Sequence, residues 1–191
     1  MKPLFCILLL LVTSLFAIPP LSISSTTAGY RIAMDIPKPV ITAERVNTVS
    51  SYGDTVNETF VKTFIYGFDY DGTPGEPLQL TGSFSLAFEG DDPVVELEHV
   101  ETESNPLSGK LYPVQPPYFY DGSHKQPAFV YNPQAYEQSV FGNPVSLART
   151  FMYRGQRVAQ IEVSPLSYDP ETNTVTLIRR MELSVTMKKP T

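Results

Sequence analysis

Over residues 159–187, near its C-terminus, the chain alternates between apolar and polar residues with a period of two, interrupted by turn residues and by Arg179. Ala159, Ile161 and Val163 alternate with polar neighbours, a turn signal (DPETN) follows at residues 169–173, and the alternation resumes over residues 175–187. This period places one face of a strand in a core and the other face against solvent. We therefore predict a long antiparallel β-hairpin in this part of the chain.

Similar alternation predicts strands further upstream. Aromatic residues alternate over residues 59–70, which predicts a strand with one buried aromatic face, and apolar residues alternate over residues 78–88. A third strand is predicted from Val94 to Thr102, after a turn rich in glycine and acidic residues. The stretch from residue 103 to residue 126 is rich in proline and glycine, so we expect a long irregular loop there.

The composition agrees with short strands separated by many turns. The chain has eighteen prolines, eleven tyrosines, eleven phenylalanines and no tryptophan. One short helix is predicted over residues 134–138, because Asn132 and Pro133 suit an N-cap and a first helical turn. Together these patterns predict an all-β fold, an antiparallel β-sandwich or open barrel with at most one short helix.

Arg179 interrupts the apolar face of the last predicted strand. It lies between Leu177 and Met181 in the alternation. A charged side chain at such a position either pairs with a buried acid or marks a β-bulge that shifts the register.

The N-terminus has the pattern of a secretory signal peptide. Lys2 precedes an apolar run from Leu4 to Phe16, and Ala17 supplies the small residue after which signal peptidase would cut. The run is too short to span a bilayer, so we expect no membrane anchor in the mature form and a location in the periplasm, at the cell surface or outside the cell. The predicted organisation is a signal peptide, a linker or edge strand, one β domain and a tail, over residues 1–17, 18–39, 40–187 and 188–191.

Charge and side-chain chemistry exclude several classes of function. The formal net charge is −6, from 14 basic and 20 acidic side chains, which argues against nucleic acid and anionic membranes as partners. The one cysteine, Cys6, lies in the predicted signal peptide, so we expect no thiol nucleophile and no disulfide in the mature chain. His99 and His124 lack neighbours at ligand spacing. We therefore predict no catalytic residues, no metal site and no cofactor.

The second half of the chain carries a succession of short motifs. They are a basic-aromatic-proline segment (KLYPVQPP), an aromatic strand, a tyrosine, an Arg-Gly pair that opens a strand, and a Tyr-Asp-Pro turn, at residues 110–117, 129–131, 136, 154–155 and 168–170. This succession resembles the propeptide domain that precedes gingipain-type cysteine peptidases, and a weaker resemblance extends upstream to about residue 40.

The resemblance implies a prodomain without catalysis of its own. Such a domain covers the active-site cleft of a cysteine peptidase, in cis or in trans, and keeps it latent during export. Inhibition of this kind needs a rigid scaffold that presents one loop, with a basic side chain in the specificity pocket of the peptidase. We expect that side chain to be Lys110, in a loop with Leu111 and Tyr112, and Lys125 is the second choice. The chain is then either an inhibitor in trans or the front half of a truncated proenzyme.

The many tyrosines leave a second function open. A secreted β-sandwich of this composition could be a carbohydrate-binding or adhesive module that uses exposed aromatic rings as stacking platforms. Three or more coplanar exposed tyrosines would favour this alternative. A protruding lysine loop would favour the inhibitor.

Overall fold

A computed structural model describes residues 20–90, 93–117, 128–138 and 142–187, and the structural statements below concern these residues. The predicted signal peptide with its cleavage at Ala17, the tail over residues 188–191, and the side chains of Lys125 and His124 lie outside the described residues. Within them, no helix has the length and apolar character needed to cross a membrane.

The described chain consists of strands and one 3-10 helix, which spans Pro133–Tyr136. In chain order the strands are β1 (Leu21–Ser25), β2 (Gly29–Asp35), β3 (Val40–Val49), β4 (Thr55–Phe64), β5 (Asp69–Asp71), β6 (Gln79–Phe88), β7 (Val94–Pro106), β8 (Lys110–Leu111), β9 (Val145–Tyr153), β10 (Gln156–Val163), β11 (Leu166–Asp169) and β12 (Thr174–Thr186).

Three sheets contain these strands. The first has the order β1-β2-β12-β11 with β7 on the other side of β12, the second has the order β5-β6-β10-β9, and the third has the order β3-β4-β8. All pairings are antiparallel except that of β4 with β8. None of the sheets in the described ranges closes into a barrel. The predicted all-β fold with one short helix is therefore confirmed.

One hydrophobic core joins the three sheets. Its fully buried side chains include Ile32 and Leu183 from the first sheet, Leu80 and Ile161 from the second, and Phe60 from the third. Burying a side chain of this size contributes about 1.5–3 kcal/mol relative to leaving it exposed. The sheets are thus held together by side chains that each sheet directs into the same interior.

The predicted C-terminal hairpin is wrong in its pairing. β10 pairs with β6 and β9 in the second sheet, whereas β12 pairs with β11 across the predicted turn. The chain changes sheets at Ser164 and Pro165. The Ser164 N–H donates to the Pro144 carbonyl on the second-sheet side, and the Pro165 carbonyl accepts from the Ile178 N–H in the first sheet. Because proline has no N–H, the β10 ladder cannot continue past this point.

The N-terminal segment, predicted as a linker or an edge strand, forms two strands. Instead of a linker over residues 18–39, β1 and β2 form a hairpin of the first sheet. β1 lies at the edge, while β2 lies between β1 and β12, where Ile32 faces Leu183. The linker alternative is wrong for residues 21–35, and the core begins before residue 40. The alternation in β2 is short, which is why the sequence pattern alone does not reveal it.

The strand predicted over residues 59–70 ends early. β4 stops at Phe64, and a tight turn with Gly67 at a φ of +89° leads into β5. The buried face already changes within β4, where the adjacent Phe60 and Val61 are both buried, and the turn then interrupts the period of two. Phe60 is buried as predicted, but three later members of the predicted face are exposed: Phe64, Tyr66 and Tyr70.

The loop predicted over residues 103–126 contains strand residues. β7 continues to Pro106 because β12 offers it a long pairing partner, and β8 pairs with β4 in parallel. The register of β7 and β12 shifts between Ile178 and Arg180, which confirms the bulge alternative for Arg179. The Arg179 side chain donates to the Pro37 carbonyl at 3.1 Å and lies 3.7 Å from a carboxylate oxygen of Glu103.

Thr63 supplies a test of the packing around β4. Its side chain is fully buried, and its hydroxyl has no hydrogen-bond partner among the described residues. We expect Thr63→Val to raise the free energy of unfolding by about 1 kcal/mol, because a methyl group replaces an unsatisfied hydroxyl of similar shape. Thr48→Val, at an exposed position on β3, is the matched control and should change the free energy of unfolding little. Urea denaturation measures both, and a destabilised Thr63→Val variant would contradict the prediction.

Candidate functional site

Two segments of the chain converge beside the third sheet. The outgoing segment, residues 110–117, begins with β8, and the returning segment, residues 128–136, ends in the 3-10 helix. Residues 118–127, which include Lys125, connect them and lie outside the described part of the chain. The predicted helix over residues 134–138 is present as a 3-10 helix that begins one residue earlier and ends two residues earlier, with the Asn132 side chain accepting a hydrogen bond from the Gln134 N–H.

Backbone hydrogen bonds anchor the outgoing segment. The Tyr112 N–H donates to the Val61 carbonyl at 2.8 Å, and the Tyr112 carbonyl accepts from the Leu78 N–H at 2.9 Å. The Val114 N–H donates to the Glu76 carbonyl at 2.8 Å. The segment therefore lies between β4 and the turn that precedes β6.

Gly75 joins the two segments through its own peptide groups. Its N–H donates to the Val114 carbonyl at 2.8 Å, and its carbonyl accepts from the Asn132 N–H at 3.0 Å. Its φ is +94°, and a Cβ atom there would lie 3.2 Å from both the Asn132 nitrogen and a methyl group of Val130. Both the backbone conformation and the close approach favour glycine at this position.

Lys110, the first predicted inhibitory residue, is engaged in contacts with the scaffold. Its ammonium lies 2.7 Å and 3.0 Å from the two carboxylate oxygens of Glu58 and donates to the Tyr131 hydroxyl at 2.8 Å. Burial alone would lower the pKa of Lys110, but the hydrogen bonds to Glu58 and Tyr131 outweigh it and raise the pKa above its ordinary value. The side chain is 41% exposed, so solvent screens this ion pair in part.

An aromatic cluster packs the two segments against β4. The Phe60 ring lies 6.1 Å from Tyr112 in the outgoing segment, and 5.7 Å and 5.2 Å from Phe129 and Tyr131 in the returning segment. Tyr112 and Phe129 also pack edge to face at 5.8 Å. Pairs of this geometry contribute about 0.5–1.5 kcal/mol each beyond the area that they bury.

Tyr136 links the 3-10 helix to β8. Its buried hydroxyl donates to the Leu111 carbonyl at 2.7 Å, and its ring packs on Tyr131 and Tyr168. Burial raises the pKa of Tyr136 far above its ordinary value, and the neighbouring Tyr131 and Tyr168 add to the shift. This hydroxyl therefore stays protonated and serves as a hydrogen-bond donor.

A cleft of about 400 Å³ opens beside these residues, lined among others by Glu58, Lys110 and Asn173. Several of its polar groups are hydrogen-bonded within the protein: the Tyr168 hydroxyl donates to the Asn173 side-chain oxygen, and the Asn173 amide nitrogen donates to the Leu107 carbonyl. No group of three or more metal-ligating side chains occurs among the described residues. The polar side chains named here are thus held by contacts within the protein.

The residues predicted for the inhibitory loop lie next to one another, but they pack against the sheets and do not form a protruding loop. Leu111 is fully buried, Lys110 is paired, and Tyr112 is half-buried with the Lys62 ammonium 4.2 Å from its ring centre. Sequence reasoning does not identify Glu58 as the partner of Lys110. The signal that could have found it is the alternation in β4, which places Glu58 on the same face as Phe60.

The chain is similar to one known family and to solved structures. Residues 88–191 match a family model described as Propeptide_C25. No curated protein matches the sequence. One similar solved chain comes from work on the zymogenic latency of gingipain K from Porphyromonas gingivalis, with 21% identity and a TM-score of 0.71, covering 91% of this chain and 94% of that one.

A second similar chain comes from a complex of the pro- and mature domains of RgpB from the same organism. Its identity is 18% and its TM-score is 0.73, and the match covers 90% of this chain and 86% of that one. At these identities the likeness establishes a shared fold.

Tyr136 gives a pH-dependent test of this site. Its ordinary pKa is 10.0, so an unfolded chain ionises it above that pH, whereas the folded protein holds it neutral. The stability that this difference contributes is present below pH 10 and is lost as the pH rises above it. We expect Tyr136→Phe to lower the free energy of unfolding by about 1 kcal/mol at pH 7, through the lost hydrogen bond.

Above pH 10 the difference in the free energy of unfolding between the wild type and Tyr136→Phe should become smaller. The wild type loses stability there because its unfolded chain ionises Tyr136, whereas phenylalanine cannot ionise. Urea denaturation at pH 7 and at pH values above 10 measures the gap. Tyr66→Phe, at an exposed position, is the control and should match the wild type at pH 7. A gap that widens with pH would contradict the role of the buried hydroxyl.

Proposed function

Because the chain belongs to the propeptide family of gingipain-type (C25) cysteine peptidases, we propose that it covers the active-site cleft of such a peptidase and keeps that enzyme latent. We assign it no catalytic step of its own. It acts either in cis, ahead of the enzyme, or in trans, and it assists the folding of its partner by presenting a preformed surface.

The observation that carries this proposal is the shared anchoring of the outgoing and returning segments. Gly75 is hydrogen-bonded to both, and Phe60 packs on both. An inhibitor that a peptidase cleaves only slowly has to hold the chain on both sides of the bound residues, because ordering a free loop at binding costs affinity. Anchoring residues 110–117 and 128–136 on one scaffold meets this need for the residues between them.

Of the two predicted lysines, we assign the specificity pocket to Lys125. The Lys110 ammonium would have to leave both Glu58 and Tyr131 before it could enter a pocket, which would cost hydrogen bonds that a free lysine does not lose. Lys125 lies between the two anchored segments in the sequence, outside the described residues, and its assignment rests on that position. Lys110 then supports the scaffold, together with Leu111 and Tyr112.

We also propose that the domain works outside the cytoplasm. The pattern of residues 1–17 predicts export. A peptidase that stays latent during export does not cleave the proteins of its own cell on the way out. The excess of acidic over basic side chains suits a partner with a basic rim around its cleft.

The carbohydrate-binding alternative gains no support from the rings. The six ring pairs among the described residues all join members of the buried and half-buried cluster around Phe60 and Tyr136. The exposed Tyr52, Tyr66 and Tyr70 belong to none of these pairs.

Inhibition of a peptidase in trans tests the proposed function. Residues 18–191 are titrated against mature RgpB and mature gingipain K, with hydrolysis of a peptide substrate as the readout. We expect an inhibition constant below about 1 μM for at least one of them, as is typical of a specific protein interface. Full activity of both enzymes at about 10 μM of the domain would contradict the proposal.

Replacement of single lysines tests the assignment of the pocket. We expect Lys125→Ala to raise the inhibition constant at least about 30-fold, which corresponds to the loss of an interface hot spot. Lys110→Ala should instead lower the free energy of unfolding by about 1 kcal/mol or less, and it should raise the inhibition constant of the folded domain much less than Lys125→Ala does. Lys38→Ala, at an exposed position, is the control. If inhibition were lost in Lys110→Ala and kept in Lys125→Ala, Lys110 would be the residue that enters the specificity pocket, and the assignment to Lys125 would be wrong.

A further inference from the structure

We infer that Gln115 is a positioning residue for inhibition: its side-chain amide joins the outgoing segment to the returning segment and fixes the spacing between them. The inference rests on the proposed function, since it explains how the residues between the two segments are held for a peptidase. Gln115 acts through Val130 and the returning segment, and it needs no contact with the enzyme.

The Gln115 amide makes two hydrogen bonds to one residue of the returning segment. Its nitrogen donates to the Val130 carbonyl at 2.8 Å, and its oxygen accepts from the Val130 N–H at 2.9 Å. This is the reciprocal exchange made by a hydrogen-bonded residue pair in an antiparallel sheet. Here a side chain takes the place of one of the two peptide groups.

The prolines of the outgoing segment explain why a side chain makes these bonds. Pro113, Pro116 and Pro117 have no N–H, and the Val114 N–H already donates to the Glu76 carbonyl. The backbone of this segment therefore has too few donors to form a ladder with the returning segment. The amide of Gln115 carries both a donor and an acceptor, and it supplies what the prolines remove.

The amide has one orientation that satisfies these bonds. If the amide were rotated by half a turn, its nitrogen would face the Val130 N–H and its oxygen would face the Val130 carbonyl. Neither contact would then be a hydrogen bond. The carbonyls of Pro113 and Val114, each 3.2 Å from the Gln115 nitrogen, favour the same orientation because they also accept hydrogen bonds. Gln115 is half-buried, so water competes with these bonds only in part.

The backbone on both sides of the Gln115–Val130 pair is restricted. Pro116 and Pro117 come directly after Gln115 and restrict the backbone as it leaves the pair. On the returning side, the Phe129 carbonyl accepts from the Ser51 N–H at 2.8 Å, so the neighbour of Val130 is fixed as well. The pair is thus flanked by restricted backbone in both segments.

A fixed spacing matters because a domain binds with an affinity reduced by the fraction of time it spends in the competent conformation. Without the pair, the two segments remain anchored at Gly75 and in the aromatic cluster, but the spacing between residues 115 and 130 is no longer fixed. We therefore expect loss of the pair to weaken inhibition while the fold persists.

The test compares Gln115→Met with Gln160→Met in residues 18–191. Methionine keeps the length of the side chain and removes the amide. Gln160 is the matched control because its amide also makes two side-chain hydrogen bonds, to Arg149 and Ser83, in the second sheet. Three quantities are measured: the thermal midpoint, hydrogen exchange of the Val130 amide, and the inhibition constants against mature RgpB and mature gingipain K at a temperature where both variants are folded.

We expect Gln115→Met to speed exchange of the Val130 amide and to raise the inhibition constant about tenfold, as the loss of two neutral hydrogen bonds allows. Gln160→Met should leave both quantities at the wild-type value. If Gln115→Met does not fold, Gln115→Glu is measured in the same way. It retains an oxygen that accepts from the Val130 N–H, lacks the donor, and should also weaken inhibition.

The outcomes separate this inference from the proposed function. Faster Val130 exchange with unchanged inhibition would overturn the positioning role and leave the proposed function intact. Unchanged exchange would overturn the hydrogen-bonded pair itself. Absence of inhibition by the wild type would overturn the proposed function and the positioning role together, whereas the exchange measurement would still report on the pair.

Discussion

The burial of Phe60 at the junction of β4 with the outgoing and returning segments is the constraint on which the candidate site depends. β4 is covered on both faces, with Phe60 directed to one and Val61 to the other, and both side chains are almost completely buried. The Phe60 ring packs on Tyr112 and Tyr131, and the Val61 carbonyl accepts the Tyr112 N–H. One stretch of β4 therefore determines where both segments lie relative to the three sheets.

Side chains supply the cross-connections that the backbone of this region cannot. β8 has two residues, and the prolines that follow it remove N–H donors, so no regular ladder can hold the outgoing segment against the described part of the returning one. Lys110, Tyr136 and Gln115 each bridge the two segments by a hydrogen bond. A region built in this way is specific to its sequence, because a ladder tolerates most side chains whereas these bonds require particular ones.

The sequence predicts those parts of the fold in which the period of two holds without interruption. β6 can be identified because it buries alternate side chains, and β12 can be identified because it does so on both sides of the bulge at Arg179. Alternation indicates which face of a strand is buried, however, and not which strand lies beside it, so the predicted partner of β10 is wrong. Lys110 is a candidate because of its neighbours in the chain, but its contacts with Glu58 and Tyr131 could not be predicted, because those residues are close only in the folded protein.

Under the proposed function, the contacts of Lys110 bear on which side chains hold the scaffold and which side chain enters the specificity pocket of the peptidase. A side chain that enters the specificity pocket of a peptidase has to be free of its own protein, while a side chain that holds the scaffold has to be bound to it. The ion pair with Glu58 and the hydrogen bond to Tyr131 place Lys110 in the second group. Lys110 cannot serve both purposes, because its ammonium would have to leave Glu58 and Tyr131 to enter a pocket, and the bridge between the two segments would then be broken.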